Sequence, residues 1–377
     1  MKKIVIIGGG FCGLWALKVL SKAAGDKKIL LIDRKKTFDF LPALPDIIGR
    51  QVPSGCLSLD LESVCNKHKH IFINAEVASL RLAEKKVILA DGGSLSYDYC
   101  LISSGSQANF YGNHSLSDSS FTLGSVQDAK KILRVLAAEE FDTVFVAGGG
   151  YTGIEIATSL WRYFLKSKQK KKIVILEKST SILGQLPDWM KTYVFNNLKH
   201  MGIEVMTNEG IKNITGFDVL LKSGLVNRAI CIWAAGVKVS DFISSLDFPK
   251  TSQGRLKVDK YLRINKYCFA AGDAASFDAG GGELRMSVQF ALSQGAVAAG
   301  NIIKDILGLP LTIFKPFDPG YVIPLANNHS CARIMGINSK GIISTIAHYI
   351  LCVYRMPGAK NKECILRSLV KDIFCRC

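Results

Sequence analysis

The chain has 377 residues, enough for two or three domains with cores of their own. Its hydrophobic fraction of 48% and mean hydropathy of +0.21 are high, yet no apolar run reaches 18 residues, so a membrane-spanning helix is not expected. The formal charge of +17 calls for an anionic partner, and with no nucleic-acid reading element or aromatic platform, an anionic membrane surface fits better than nucleic acid.

The N-terminus opens on a strand, residues 3–8, with no signal-peptide pattern, so a cytoplasmic protein is expected. A helix over 11–24 and a strand over 28–33 complete a β-α-β unit. Its turn reads IVIIGGGFCG, with Gly8, Gly10 and Gly13, and its second strand ends in Asp33. That spacing is the dinucleotide fingerprint. The first glycine allows the tight turn, the second lets backbone approach a pyrophosphate, and the third lets helix and strand pack closely. The pyrophosphate then rests on the unpaired N–H groups of the helix N-terminus, and the acid binds a ribose 2′-hydroxyl.

Residues 75–77, 85–90 and 94–102 follow as a small β-meander, ending in a buried strand at Leu101–Ile102 and a turn at Ser104–Gly105. A second β-α-β unit occupies 142–147, 151–166 and 172–177, 140 residues after the first. Its fingerprint VFVAGGGYTG supplies Gly148, Gly150 and Gly153, and IVILE supplies Glu177. Two complete copies predict two bound dinucleotides. A 2′-phosphate would be repelled by Glu177, which favours NADH over NADPH, although Lys172 and Lys178 lie nearby in sequence. The lysine-rich run 166–172 reads as a solvated loop. The strand AICIWAAG closes at Gly236, and the strand before AAGDAAS closes at Gly272–Asp273. A helical stretch, SVQFALSQGAVAAGNIIKDIL, comes next.

The fold class implied is α/β, with two Rossmann-like domains of parallel, doubly wound sheet, the second inserted in the first. The expected limits are 1–105 with 237–312 for the first domain, 106–236 for the second, and 313–377 for a C-terminal region. In that last region GIISTIAHYILCVY is apolar but too short to span a bilayer. Ile365, Leu366, Leu369, Val370 and Phe374 fall at helical spacing. Lys340, Arg355, Lys360, Lys362, Arg367, Lys371 and Arg376 outnumber Glu363 and Asp372. Apolar stripes flanked by bases suit helices lying in the headgroup plane, and the rival reading is a homodimer interface. The eleven cysteines show neither C-x-x-C nor a metal-ligand pattern, so no metal is expected. They read as small buried hydrophobes, except Cys375 and Cys377 at the terminus.

These motifs resemble the flavoproteins that bind two dinucleotides, and within them the type II NADH dehydrogenases, single-subunit NADH:quinone oxidoreductases. The resemblance covers nearly the whole chain, through GGGFCG, DRKKTFDFLPALPDIIGR, YDYCLISSGS, GGGYTGIEIA, AAGDAAS and VQFALSQGAVAAGNI. It implies FAD on the first unit and NADH on the second. It further implies an enzyme that passes a hydride from NADH to the flavin and two electrons on to a membrane quinone, without proton pumping, while bound peripherally to the cytoplasmic face of the inner or cell membrane. By matching position, the FAD set is Gly8, Gly10, Phe11, Cys12, Gly13, Asp33, Arg34, Val77, Ser104, Gly105, Gly272, Asp273 and Gln289. The NADH set is Gly148, Gly150, Tyr151, Thr152, Gly153, Glu177 and Gly236. Glu155 matches a glutamate placed near nicotinamide and flavin; its plainer role is a partner for the helix dipole. Gln289, Ser293 and Gln294 are the quinone candidates, and Ser293 stands where the family usually carries a second glutamine. That departure keeps open a soluble NAD(P)H:acceptor reductase. A redox-sensing flavoprotein is the reading from another class.

Overall fold

The computed structural model describes residues 1–23, 27–138, 140–280 and 282–374, and the side chains of 371–374 are left aside. Cys375 and Cys377 therefore lie outside the described residues. Contacts group the chain into two compact units. The first comprises Met1–Phe38, Leu59–Gln107 and Val237–Asp318; the second comprises Asp39–Ser58, Ala108–Gly236 and Pro319–Cys377. The segments 39–58 and 319–377 thus pack with the central portion of the chain.

The first unit is built on five parallel strands in the order Cys268–Ala270, Tyr99–Ile102, Lys2–Ile7, Lys27–Asp33 and Ile71–Asn74. The central strands are near-continuous apolar runs because a parallel sheet is covered on both faces. Ile4, Val5, Ile6, Ile29 and Leu31 are accordingly buried. The helix Phe11–Lys22 packs against the helix Val288–Ile306 through Gly295, where an added Cβ would meet the Cys12 carbonyl oxygen at 2.5 Å. The expected meander is present as three antiparallel strands, Val77–Arg81, Lys86–Leu89 and Ser94–Ser96.

The second unit repeats the plan with four parallel strands: Glu204–Thr207, Lys172–Glu177, Thr143–Ala147 and Ala229–Trp233. The helix Tyr151–Ser167 follows its central strand and buries Ile154, Ile156, Ala157 and Leu160. A three-stranded antiparallel sheet, Gly320–Ile323, Cys331–Ile334 and Ile337–Lys340, leads into helices Ile342–Arg355 and Ala359–Phe374.

In the last of these helices Ile365 and Leu369 face inward, one turn apart, while Leu366 and Val370 are exposed. Ile343, Ile346, Ile350 and Tyr354 form an exposed apolar stripe along the preceding helix. No helix among the described residues is long and apolar enough to cross a membrane. Among the described residues seven cysteines are free and buried, as expected of small hydrophobes. Cys56 and Cys364 depart from that expectation: they form a disulfide across 308 residues, joining the last helix to the turn Ser54–Leu57. Asn361 reinforces the joint, its side-chain amide donating to the carbonyls of Gly55, Cys56 and Ser58.

Candidate functional site: two glycine turns and a buried acid cluster

The same steric logic fixes both glycine turns. At Gly8 φ is +103°, and a Cβ would lie 2.4 Å from the Ser103 carbonyl oxygen. At Gly148 φ is +108°, and a Cβ would lie 2.6 Å from the Ala234 carbonyl oxygen. Only glycine adopts that backbone in that space. At Gly13 and Gly153 a Cβ would run into the carbonyl oxygens of Gly8 and Gly148 at 1.9 and 1.8 Å. Gly10 and Gly150 differ: nothing lies within 4 Å of either Cβ position, and each is the N-cap of its helix. These are cradles open on the side where the first turn of the helix presents unpaired N–H groups, and they fit a pyrophosphate.

Both acids serve the turns themselves. Asp33 accepts from the Gly9 N–H at 2.7 Å and the Lys35 N–H at 2.7 Å. Glu177 accepts from the Gly149 N–H at 2.8 Å and the Ser179 N–H at 2.8 Å. A carboxylate has about four lone-pair sites, so each acid keeps capacity for ribose hydroxyls. Of the two lysines near Glu177 in sequence, only Lys172 points away from the turn, while Lys178 lies beside Tyr111, whose hydroxyl covers Gly236. Lys172 pairs with Glu204 at 2.7 Å at the far end of the strand, and the Lys178 ammonium sits 5.0 Å from the Tyr111 ring centroid.

The first unit gathers most of the residues assigned to FAD. Ala75 N–H donates to the Asp33 carbonyl, and Arg34 pairs with Glu76 at 3.7 Å, bringing Val77 beside the end of the second strand. Ser103 donates to the carbonyls of Ile7 and Gly8, while Ser104 bonds Ser240 at 3.0 Å next to Gly105, where φ is +70°. Cys12 packs against Gly272, and Phe11 meets Phe38 edge-on. Asp273 accepts from the Ser106 hydroxyl at 2.7 Å. Burial pushes its carboxyl up, against the opposing pull of Ser106 and the Arg255 guanidinium.

Sequence reading missed Arg255. It is fully buried and donates to the carbonyls of Asp273 and Leu284, so it fixes the Gly272–Asp273 turn from below. Gln294 fixes it from the side. Its Oε1 accepts from the Gly272 N–H at 2.7 Å, and the residue is 1% exposed. That bond occupies the side-chain oxygen of one of the three quinone candidates. Gln289 and Ser293 are four apart and share a helix face, whereas Gln294 lies about 140° round the helix from Gln289. The Ser293 hydroxyl turns back onto the carbonyls of Gln289 and Phe290.

In the second unit, Gly236 (φ +115°) sits under the Tyr111 hydroxyl, which donates to the Ala235 carbonyl. Gly148, Gly150, Gly153, Glu177 and Gly236 thereby meet at one end of the parallel sheet. Tyr151 packs on the core and Thr152 is exposed in the first helical turn. Glu155 lies one turn further along. Burial, with a smaller contribution from the Asp46 charge, raises its carboxyl to about 8. Asp46, Arg50, His348 and Tyr349 join Glu155 around a small cavity. None of these four was singled out from sequence; the only local signal was an aspartate and an arginine four apart in the apolar segment DFLPALPDIIGR.

Two glycine turns, each closing a parallel sheet and answered by an acid, define an α/β oxidoreductase with two dinucleotide sites. The chain belongs to the pyridine nucleotide-disulphide oxidoreductase family, whose match spans residues 2–300. It is 27% identical over 375 residues to the demethylphylloquinone reductase NdbB of Synechocystis, covering 94% of this chain and 92% of that protein. It is 26% identical to the type II NADH:quinone oxidoreductase of Haemophilus influenzae, covering 98% and 96% of the two chains. Among solved structures, NDH2 of Plasmodium falciparum in complex with NADH matches at TM-score 0.84 and 16% identity, covering 99% of this chain and 98% of that one. That match establishes the fold, and the family carries the FAD and NADH assignment.

Proposed function

We propose that the chain is an FAD-dependent NADH:quinone oxidoreductase that docks peripherally on an anionic membrane surface, on its cytoplasmic face. The observation that carries the reading is the doubled turn, open at Gly10 and Gly150 and occluded at the other fingerprint glycines. The relatives, similar over more than nine-tenths of this chain, support quinone as acceptor.

Bound FAD supplies the two-electron relay between nicotinamide and acceptor. In the segments 1–105 and 237–312, Gly8, Gly10 and Gly13 hold its pyrophosphate, Asp33 its ribose, Val77 its adenine through backbone, and Asp273 the ribityl hydroxyls, with Gln289 beside the flavin ring. In 106–236, Gly148, Gly150 and Gly153 seat NADH, and Glu177 binds the ribose and repels a 2′-phosphate. Glu155 holds a proton at neutral pH. In 313–377, the exposed stripe from Ile343 to Tyr354, with Leu366 and Val370, meets the bilayer.

Anaerobic stopped-flow absorbance tests this. The yellow protein is mixed with NADH and then with a menaquinone or ubiquinone analogue. Fast bleaching followed by fast quinone-driven reoxidation is expected. Fast bleaching with sluggish reoxidation would favour a soluble acceptor reductase, the reading that the inward-turned Ser293 hydroxyl supports. Flotation with anionic liposomes tests the docking, and deletion of 338–377 should abolish it. A dimer that loses its liposome affinity on assembly would assign the stripe to a second copy instead.

A further inference from the structure

Beyond the two turns, the second unit gathers an ionisable cluster around Glu155. Gly49 makes it possible. A Cβ there would lie 2.8 Å from the Ser159 Cα, so the helix Leu44–Gly49 rests directly on the helix Tyr151–Ser167. That approach sets Asp46 and Arg50 against the turn carrying Glu155. The helix Ile342–Arg355 closes the other side with His348 and Tyr349.

Asp46 accepts from the Tyr349 hydroxyl at 2.9 Å and pairs with the Arg50 Nε at 3.2 Å. Arg50 also donates to the Asn328 side-chain oxygen at 2.7 Å, and its guanidinium carbon lies 5.2 Å from the Tyr349 ring centroid. Asp46 and Arg50 are only 8% and 6% exposed. Burying such a pair is expensive and by itself contributes little to stability, so its presence calls for a use. With Glu155, Thr158 and His348 they line a cavity of about 20 Å³, room for one water molecule.

We infer that Asp46, locked by Arg50 and Tyr349, is a positioning residue that keeps a proton on Glu155, and that the water-sized cavity between them is the path by which that proton is replaced. This rests on the NADH:quinone reading. Each turnover balances as NADH + H⁺ + quinone → NAD⁺ + quinol, so one proton must enter from solvent. Asp46, Arg50, His348 and Tyr349 line the cavity with Glu155, Cys352 lies within its electrostatic reach, and Arg355 acts on His348 and Cys352 behind them. Among them Asp46 is the like charge that opposes ionisation of Glu155. Its fixed geometry makes that effect reproducible at every turnover.

The test titrates Glu155 by isotope-edited infrared spectroscopy in the flavin-loaded protein, with Glu155→Gln assigning the carboxyl band. Wild type should titrate near 8. In Asp46→Asn, which keeps an acceptor for Tyr349, the midpoint should fall by about one pH unit. The alkaline limb of quinone-driven reoxidation should move with it, slowing the reaction roughly fivefold at pH 8. Asp46→Glu keeps the charge and should restore the wild-type limb. A wild-type Glu155 titrating in the ordinary carboxylate range would overturn the inference, and needs no variant to fold. So would an Asp46→Asn protein with an unmoved midpoint. Failure of the NADH:quinone reading looks different: the wild type would show no quinone-driven reoxidation while its Glu155 titration stood.

Discussion

Paired alanine substitutions at Gly150 and Gly153 separate ligand space from protein space within one turn. At Gly153 the new Cβ would lie 1.8 Å from the Gly148 carbonyl oxygen. Relief needs the backbone of the turn or helix to retreat by more than 1 Å, roughly, from a close-packed interior. Overpacking of this kind costs about 1–3 kcal/mol, and the better helix propensity of alanine returns up to about 1 kcal/mol. With the cost at the upper end of that range, as a 1.8 Å backbone clash implies, the net loss near 2 kcal/mol lowers Tm by about 4–8 °C for a domain of this size. At Gly150 the backbone is extended, with φ −74° and ψ −166°, and no protein atom lies within 4 Å of the Cβ position. Alanine is a poorer N-cap than glycine, but it restricts the unfolded chain more, so Tm should stay within about 2 °C. The methyl group then stands where the pyrophosphate approaches. Affinity for NADH, read from reductive titration of the flavin, should fall at least about tenfold, or ~1.4 kcal/mol. An unchanged NADH affinity in Gly150→Ala would refute the placement. Equal loss of Tm in both variants would refute the division between open and occluded glycines.

Other predictions follow from the same geometry. Glu177→Gln removes the charge and keeps an acceptor for only one of the Gly149 and Ser179 N–H groups, which bond different carboxylate oxygens. Preference for NADH over NADPH in stopped-flow reduction should shrink by about tenfold, the scale of one hydrogen bond to a charged group, and an unaltered ratio would remove Glu177 from the ribose site. Arg255→Met leaves the carbonyls of Asp273 and Leu284 without their donor, at about 1–3 kcal/mol each. The FAD content per chain after gel filtration should drop, and full occupancy would show that the turn holds without it. Stability should also carry two opposed pH slopes. Burial lowers His348 to about 3, so its contribution is complete above the ordinary histidine value of 6.5 and is lost as pH falls toward 3. Glu155 is raised from 4.5 to about 8, so its contribution is complete below 4.5 and is lost as pH rises through 8. His348→Gln should flatten the acid side of the Tm–pH curve and Glu155→Gln the alkaline side; a variant with an unchanged slope would show its group titrating normally.

What could be read from sequence was local. The turns at Gly8 and Gly148 are legible because strand, glycines and helix are contiguous, and each acid ends the very next strand. The exposed stripe from Ile343 to Tyr354 is legible as composition, although inward Ile365 and outward Leu366 separate only once the helix has neighbours. The bond of Gln294 to the Gly272 turn was not legible, because one residue of helical register beyond Ser293 moves a side chain by about 100°. The Asp46–Tyr349 bond spans 303 residues and the Cys56–Cys364 bond 308. Contacts of that range depend on how segments 39–58 and 319–377 fold back onto the central portion, which no local pattern encodes. Arg255 illustrates the remaining limit: a buried arginine reads as a surface base until its two carbonyl partners are in view.

The turns themselves cannot say which nucleotide each prefers. Their first glycines press on carbonyl oxygens at 2.4 and 2.6 Å, their third glycines at 1.9 and 1.8 Å, and their acids accept from the following glycine N–H at 2.7 and 2.8 Å. Discrimination must come from what surrounds each copy. In the first unit Asp273, tied by Ser106 and backed by buried Arg255, presents an acceptor suited to the hydroxyls of a long ribityl chain. In the second unit the helix after the turn offers Glu155, its carboxyl raised by burial, against the Asp46 cluster. A resident cofactor gains from the first arrangement, because many fixed hydrogen bonds slow its release. A substrate that must leave each cycle would gain from the second, if its binding rests on the turn and Glu177 as proposed. Exchanging the roles of the two sites would require moving Asp273 and its supports, not rewriting the glycines.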